Sequence, residues 1–156
     1  LGATTPTFDL ESHPENLKDF SAITPTHIEK TRLTFLGEIE QFPPIHSAIK
    51  QDGKPVYELA RKGKEVVMKS RKAHIYEFEI TEMNLPEIHF RIVCGSGTYI
   101  RSLANDFGAA LGCGAYLQSL RRTAIGEHRI ENAYTIDEMS QHFGSMMNAK
   151  IIVPKC

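Results

Sequence analysis

Cys94-Gly-Ser-Gly-Thr-Tyr-Ile-Arg-Ser-Leu-Ala-Asn-Asp-Phe-Gly108 joins two different periodicities. Before it the chain alternates. After it, Ile100, Leu103, Ala104, Phe107 and Leu111 recur at the spacing of one helix face. The stretch therefore reads as a strand, a glycine-flanked turn and an amphipathic helix. Thr98 is the expected N-cap and Gly112 the expected stop. Tyr99 and Arg101 fall in the first turn, off the apolar stripe. A ring and a guanidinium at such a junction occupy the place where α/β proteins put chemistry.

Upstream, Ile88, Phe90, Ile92 and Cys94 alternate with His89 and Arg91. Asn84-Leu-Pro86 reads as a turn. His74, Tyr76, Phe78 and Ile80 are expected on one face of a preceding strand, with Glu77 and Glu79 on the other, so the two strands make a hairpin. Thr24-Pro25 is a helix start, and Ile28, Phe35, Leu36 and Ile39 extend the expectation to a helix over 25–37. Gln41-Phe-Pro-Pro44 breaks it. Beyond the prolines, residues 41–70 read as an excursion: extended Ile45 to Lys50, a turn at Asp52-Gly53, and a short helix from Pro55 to Lys62. Downstream, Ala115 to Ile125 reads as a strand. Thr135-Ile-Asp-Glu138 is a capping box opening a last helix with Ile136, Met139 and Phe143.

The 156 residues carry a net charge of −1, which conceals an asymmetry. Residues 1–49 hold three Lys/Arg against seven acids, whereas residues 50–72 hold eight Lys/Arg against three acids, a local +5. Such a block suits a polyanion, and it equally suits a solvated lysine-rich loop. Three cysteines without a C-x-x-C pair, and histidines without ligand spacing, point away from a disulfide framework or a metal site and toward a reducing cytoplasm. No apolar stretch is long enough to span a bilayer, and the N-terminus has no signal-peptide pattern.

Gly95-Ser-Gly-Thr-Tyr-Ile-Arg-Ser is not a P-loop, because the second glycine and the lysine are missing, and it fails the dinucleotide fingerprint at the third glycine. Positive charge sits badly at a helix N-terminus. Arg101 is therefore tolerated best opposite an anion, either a carboxylate or a phosphate. Two readings stay open on residue types alone. Arg101 faces a ligand or catalytic group, or it pairs with Asp106 or Glu127 while Tyr99 caps the core.

The order of motifs carries a resemblance. L-G-x-x-T-x-T-x-D at residues 1–9 is followed by Gln41-Phe-Pro-Pro-Ile-His-Ser-Ala-Ile-Lys50 with Gly53, then by Tyr57-Glu-Leu-Ala-Arg-Lys-Gly63. Gly97-Thr-Tyr-Ile-Arg-Ser-Leu103, Asp106-Phe-Gly108, Leu111-Gly-Cys-Gly-Ala115 and Leu120-Arg-Arg-Thr123 complete the succession. It resembles the TruB family of tRNA pseudouridine synthases over residues 1 to about 143. The resemblance implies an α/β (α+β) catalytic domain over 1–143: a mixed, mostly antiparallel sheet flanked by helices, with a thumb-like insertion at 41–68 and a tail at 144–156. It implies isomerisation of uridine 55 in the tRNA T-arm loop, without a cofactor, after the base is flipped from its stack. Tyr99 matches the tyrosine that packs against the flipped base. Arg101 matches the arginine that ion-pairs with the catalytic aspartate, and Leu120 the apolar floor of the base pocket. Lys50, Lys54, Arg61 and Lys64 would lie along phosphates of the clamped T-loop, and Arg121 and Arg122 are further RNA contacts.

One part of the pattern is missing. The family nucleophile lies in G-x-L-D-x-x-A-x-G, and none of Asp9, Asp19, Asp52, Asp106 or Asp137 sits in such a motif. The K-P-x-G-x-T-S stretch is absent as well. The expectation is a C-terminal part of such an enzyme, inactive alone and inviting self-association through the face a preceding segment would cover. The competing readings are a non-catalytic RNA-binding or tRNA-folding module, and an α/β interaction domain unrelated to RNA.

Overall fold

The computed structural model describes residues 1–44, 50–51, 54–55 and 69–148, with residues 50–51, 54–55 and 145–148 described as main chain only. The residues form two compact units, Leu1–Ser119 and Leu120–Cys156. The expected elements around Cys94–Gly108 are present, and the differences from expectation have local causes.

In the first unit α1 spans Pro25–Leu33, capped by Thr24, whose side chain accepts from the His27 N–H. The helix stops short of the expected 37. Gly37 adopts φ +84°, and the chain turns into strand β1, Gly37–Gln41. Phe35 and Leu36 thus sit in the turn, and Ile39 lies on a strand. The sequence Gly-Glu-Ile-Glu-Gln alternates, and a helical reading carried across the glycine obscures that.

Two short antiparallel strands follow, β2 (Lys50–Gln51) and β3 (Lys54–Pro55), with Lys50 opposite Pro55 and Gln51 opposite Lys54. The turn expected at Asp52-Gly53, the extended run expected over 45–49 and the helix expected beyond Pro55 lie outside the described residues. The hairpin is as expected: β4 is Arg71–Asn84 and β5 is Glu87–Cys94, and with β1 they give a three-stranded antiparallel sheet in the order β1-β4-β5. The register slips between Ile75 and Glu77. A bulge there reverses which residues face inward. Ala73 and Ile75 are buried before it and Phe78 after it, while His74 and Tyr76 are exposed rather than sharing a face with Phe78.

Helix α2, Ile100–Ala110, lays its stripe on this sheet. Ile28, Ile75, Phe78, Leu103, Phe107, Leu111 and Cys113 form the core, with Phe107 at the centre of edge and tilted contacts to Phe35 and Phe78. Arg32 ties α1 to the sheet by donating to the Phe78 carbonyl at 2.6 Å and to Glu29 at 2.7 Å. Gly108 allows the closest approach. A Cβ there would collide with the main chain of Gly114 and Ala115. Instead the Gly114 N–H donates to the Gly108 carbonyl, and the Gly2 N–H donates to the Gly114 carbonyl. The segment after α2 is in this way wedged between the helix and the chain's first residues.

The strand expected over Ala115 to Ile125 is mostly irregular. Leu117 in the first unit makes an isolated parallel bridge to Asp9, and regular pairing resumes only in a small hairpin of β6 (Ala124–Ile125) and β7 (His128–Arg129). Alternation alone did not distinguish an extended connector from a strand with a neighbour to pair with. Helix α3, Ile136–Asn148, opens with the expected capping box: the Thr135 N–H donates to the Glu138 carboxylate, and the Glu138 N–H donates back to the Thr135 hydroxyl.

Candidate active site

The site is assembled where α2 begins. Tyr99 itself is the N-cap residue, in extended conformation and without a side-chain cap. Thr98, expected there, turns its hydroxyl back to the Gly95 carbonyl at 2.8 Å. Tyrosine is a poor cap. Its place is held from outside the helix, by Gln41 at the end of β1. The Gln41 Nε2 donates to the Tyr99 carbonyl at 3.3 Å, and the Tyr99 N–H donates to Gln41 Oε1 at 3.1 Å. Beside them Ser102, fully buried, donates to the Phe42 carbonyl at 2.7 Å.

Arg101 meets its anion within this chain. Its Nη1 donates to Asp9 Oδ2 at 2.8 Å, with the two side chains 23% and 16% exposed. Neither Asp106 nor Glu127, the partners considered from sequence, is the carboxylate in this pair. The Thr-x-Thr-x-Asp turn explains how Asp9 is presented. The Thr5 hydroxyl donates to the Asp9 carbonyl at 2.7 Å, and the Thr7 hydroxyl donates its one proton to Asp9 Oδ1 at 2.6 Å, with the Asp9 carbonyl farther off at 3.3 Å. The Glu11 N–H reaches the same oxygen at 3.0 Å, which leaves Oδ2 aimed at Arg101. The Leu117 N–H donates to the Phe8 carbonyl and fixes this turn against the segment that follows α2.

Burial alone would push the Asp9 carboxyl up. The Thr7 hydroxyl, the Glu11 N–H, and the bond and charge of Arg101 outweigh that and hold it below its ordinary value. Asp9 is therefore a permanent anion at neutral pH, and it clamps one arm of a guanidinium that has five N–H donors in a fixed plane. Asp106 differs. Its half-buried carboxyl is raised by burial and receives a hydrogen bond from Asn105.

Of the residues singled out from sequence, the structure brings Tyr99 and Arg101 together on the first turn of α2. Leu120, Arg121 and Arg122 belong to the second unit, where Leu120 is 58% exposed and both arginines are exposed. Lys50 and Lys54 lie on β2 and β3, and Arg61 and Lys64 lie outside the described residues. Two participants escaped the sequence reading as site residues, Asp9 and Gln41. Both stand in the motifs that carry the resemblance, and the only local signal for Asp9 was the pair of threonines preceding it.

The TruB family pseudouridylate synthase N-terminal domain matches residues 1–100, and the tRNA pseudouridylate synthase B C-terminal domain matches residues 101–150. The chain belongs to the TruB family. It is 52% identical over 136 residues to tRNA pseudouridine synthase B of Flavobacterium johnsoniae, covering 87% of this chain and 59% of that one. It is 47% identical over 141 residues to the protein of that name from Phocaeicola vulgatus, covering 90% and 60%. The chain thus spans about three fifths of the length of these curated relatives. Among solved structures, a chain of a Cbf5–Nop10–Gar1 complex superposes with a TM-score of 0.65 at 29% identity, over 84% of this chain and 35% of that one. Both family domains meet at Ile100–Arg101, within the first turn of the helix that carries the site.

Proposed function

We propose that this chain forms the Tyr99–Arg101 wall of a tRNA pseudouridine synthase acting on uridine 55 of the T-arm loop. The observation that carries the reading is the Asp9–Arg101 pair at the start of α2, in a chain of this family. In the reaction the bond from N1 to C1′ breaks and one from C5 to C1′ forms. C5 gives up a proton and N1 gains one. The base must leave the loop for this to happen. Tyr99 packs against the flipped base. Arg101, steadied by Asp9, orients and keeps ionised a second carboxylate, the nucleophile. No aspartate of this sequence lies in the G-x-L-D motif. That carboxylate is therefore supplied by chain outside it, and these residues alone do not turn over. The block at 41–68 clamps the T-loop through Lys50, Lys54, Arg61 and Lys64, and in the second unit Leu120, Arg121 and Arg122 contribute further contacts to the RNA.

The test is pseudouridine formation at position 55 by the full-length enzyme and by this chain alone. The first should act and the second should only bind. In the full-length enzyme, Arg101→Ala should abolish turnover with a modest loss of tRNA affinity; collapsed affinity with surviving turnover makes Arg101 a phosphate ligand instead. The outer edge of β5 pairs with no strand among the described residues. Such an edge templates association. The isolated chain should therefore self-associate, and sedimentation as a monomer at high concentration refutes this.

A further inference from the structure

Gln41 is 2% exposed, an unusual place for a side-chain amide. Burial is tolerated only when the polar atoms are satisfied, and here both ends of the amide are spent on the two main-chain groups of Tyr99. Tyr99 cannot hold this position by itself. It has no capping side chain, and Thr98 is occupied within its own turn. The Tyr99 carbonyl also accepts the first helical bond, from Leu103, so Gln41 grips the residue at which helix and loop meet. Gln41 is also the last residue of β1, and the next residue, Phe42, is bonded to Ser102 in the first turn of α2. Pro43 and Pro44, which follow, are buried. Three hydrogen bonds thus tie the start of the 41–68 insertion to the turn that displays Tyr99 and Arg101.

We propose that Gln41 is a positioning residue for the reaction: its amide fixes the Tyr99 main chain and thereby aims the Tyr99 ring and Arg101 into the site. This deepens the function proposed above and rests on it. A small rotation of the Tyr99 main chain is amplified along the tyrosine side chain, and a displacement of about 1 Å costs on the order of 100-fold in rate.

The experiment uses the full-length enzyme, with tRNA as substrate and pseudouridine as readout. Gln41→Met keeps the length and volume of the side chain and removes both hydrogen bonds. It should lower kcat about 10- to 100-fold while KM for tRNA stays within about threefold, because the change disturbs orientation and leaves the RNA-binding surface intact. Gln41→Glu gives a distinguishing readout. A protonated carboxyl has one donor and one acceptor and imitates the amide, whereas the carboxylate cannot donate to the Tyr99 carbonyl. Burial raises the introduced carboxyl into the accessible pH range. Relative to wild type at each pH, Gln41→Glu should therefore recover as pH falls from about 8 to about 6, and Gln41→Met should not. A residue that merely fills the core gives no such recovery in the kcat of folded enzyme.

Folded Gln41→Met with kcat within about twofold of wild type overturns the proposal, as does a loss confined to KM. Should Gln41→Met fail to fold, the pH ratio of Gln41→Glu decides: recovery at low pH supports the assignment and a flat ratio overturns it. Wild-type enzyme that forms no pseudouridine in tRNA defeats the functional reading itself, an outcome separate from active wild type with indifferent variants.

Discussion

Replacing Asp9 by alanine removes the carboxylate that accepts from Arg101, Thr7 and the Glu11 N–H at once. Breaking one side of a fully buried ion pair costs about 3–5 kcal/mol. Here Arg101 keeps 23% of its side-chain exposure, so water partly rescues the guanidinium. Thr7 retains Ser12 Oγ at 2.7 Å as an alternative partner. The expected loss is therefore about 2–3 kcal/mol, or a fall in Tm of roughly 5–10 °C for a chain of this length. Urea unfolding followed by circular dichroism should show the midpoint falling by about 1–2 M. A double-mutant cycle with Arg101→Ala should give a coupling of at least about 1 kcal/mol. The pH dependence has a definite sign. The folded-state pKa of Asp9 lies below its usual 3.8, so its contribution is complete above that value and is lost as pH falls through the lowered one. The stability difference between wild type and Asp9→Asn should accordingly shrink as pH falls below about 4 into the acid range. A midpoint for Asp9→Ala within about 0.3 M of wild type, or a difference from Asp9→Asn that is constant across this range, refutes the account of the pair.

Gly108→Ala should destabilise by about 3 kcal/mol, because the added methyl meets the main chain of Gly114 and Ala115 rather than a side chain that can swing aside; urea unfolding measures it, and a loss below about 0.5 kcal/mol would mean the wedge is loose. Changing Lys54 and Lys64 together to alanine should weaken binding of a T-arm hairpin and reduce the magnitude of the log–log salt slope by about 2, one unit for each phosphate left without its lysine. An unchanged slope places those lysines away from the RNA.

Much of the frame around the site was legible because it rests on short-range periodicity. The stripe of Ile100, Leu103, Phe107 and Leu111 predicts α2 whatever the rest of the chain does. The β4–β5 hairpin follows from alternation on either side of Asn84-Leu-Pro86, and the capping box at Thr135 from a spacing of three. Legibility failed where a local rule met a neighbour. Carrying a helical count across Gly37 cost β1, and the bulge after Ile75 inverted the inward and outward residues of half a strand. Leu117 forms a single isolated bridge, to Asp9, among the described residues.

The same division holds at the site. Sequence alone determined that a tyrosine and an arginine stand at the start of an amphipathic helix, and that the arginine needs an anion there, because both follow from residue types within one turn. Which anion it meets was decided by tertiary structure. Asp9 lies 92 residues away, and no spacing rule favours it over the other acids of the chain. The contact exists because Gly108 admits the backbone of Gly114 and Ala115; Gly114 then holds Gly2, and Leu117 holds the Phe8 carbonyl beside Asp9. Gln41 is a parallel case, reaching Tyr99 across 58 residues. Polar pairings of this kind carry no period. Their energy comes from desolvation and geometry, which come into being only when the layers are packed.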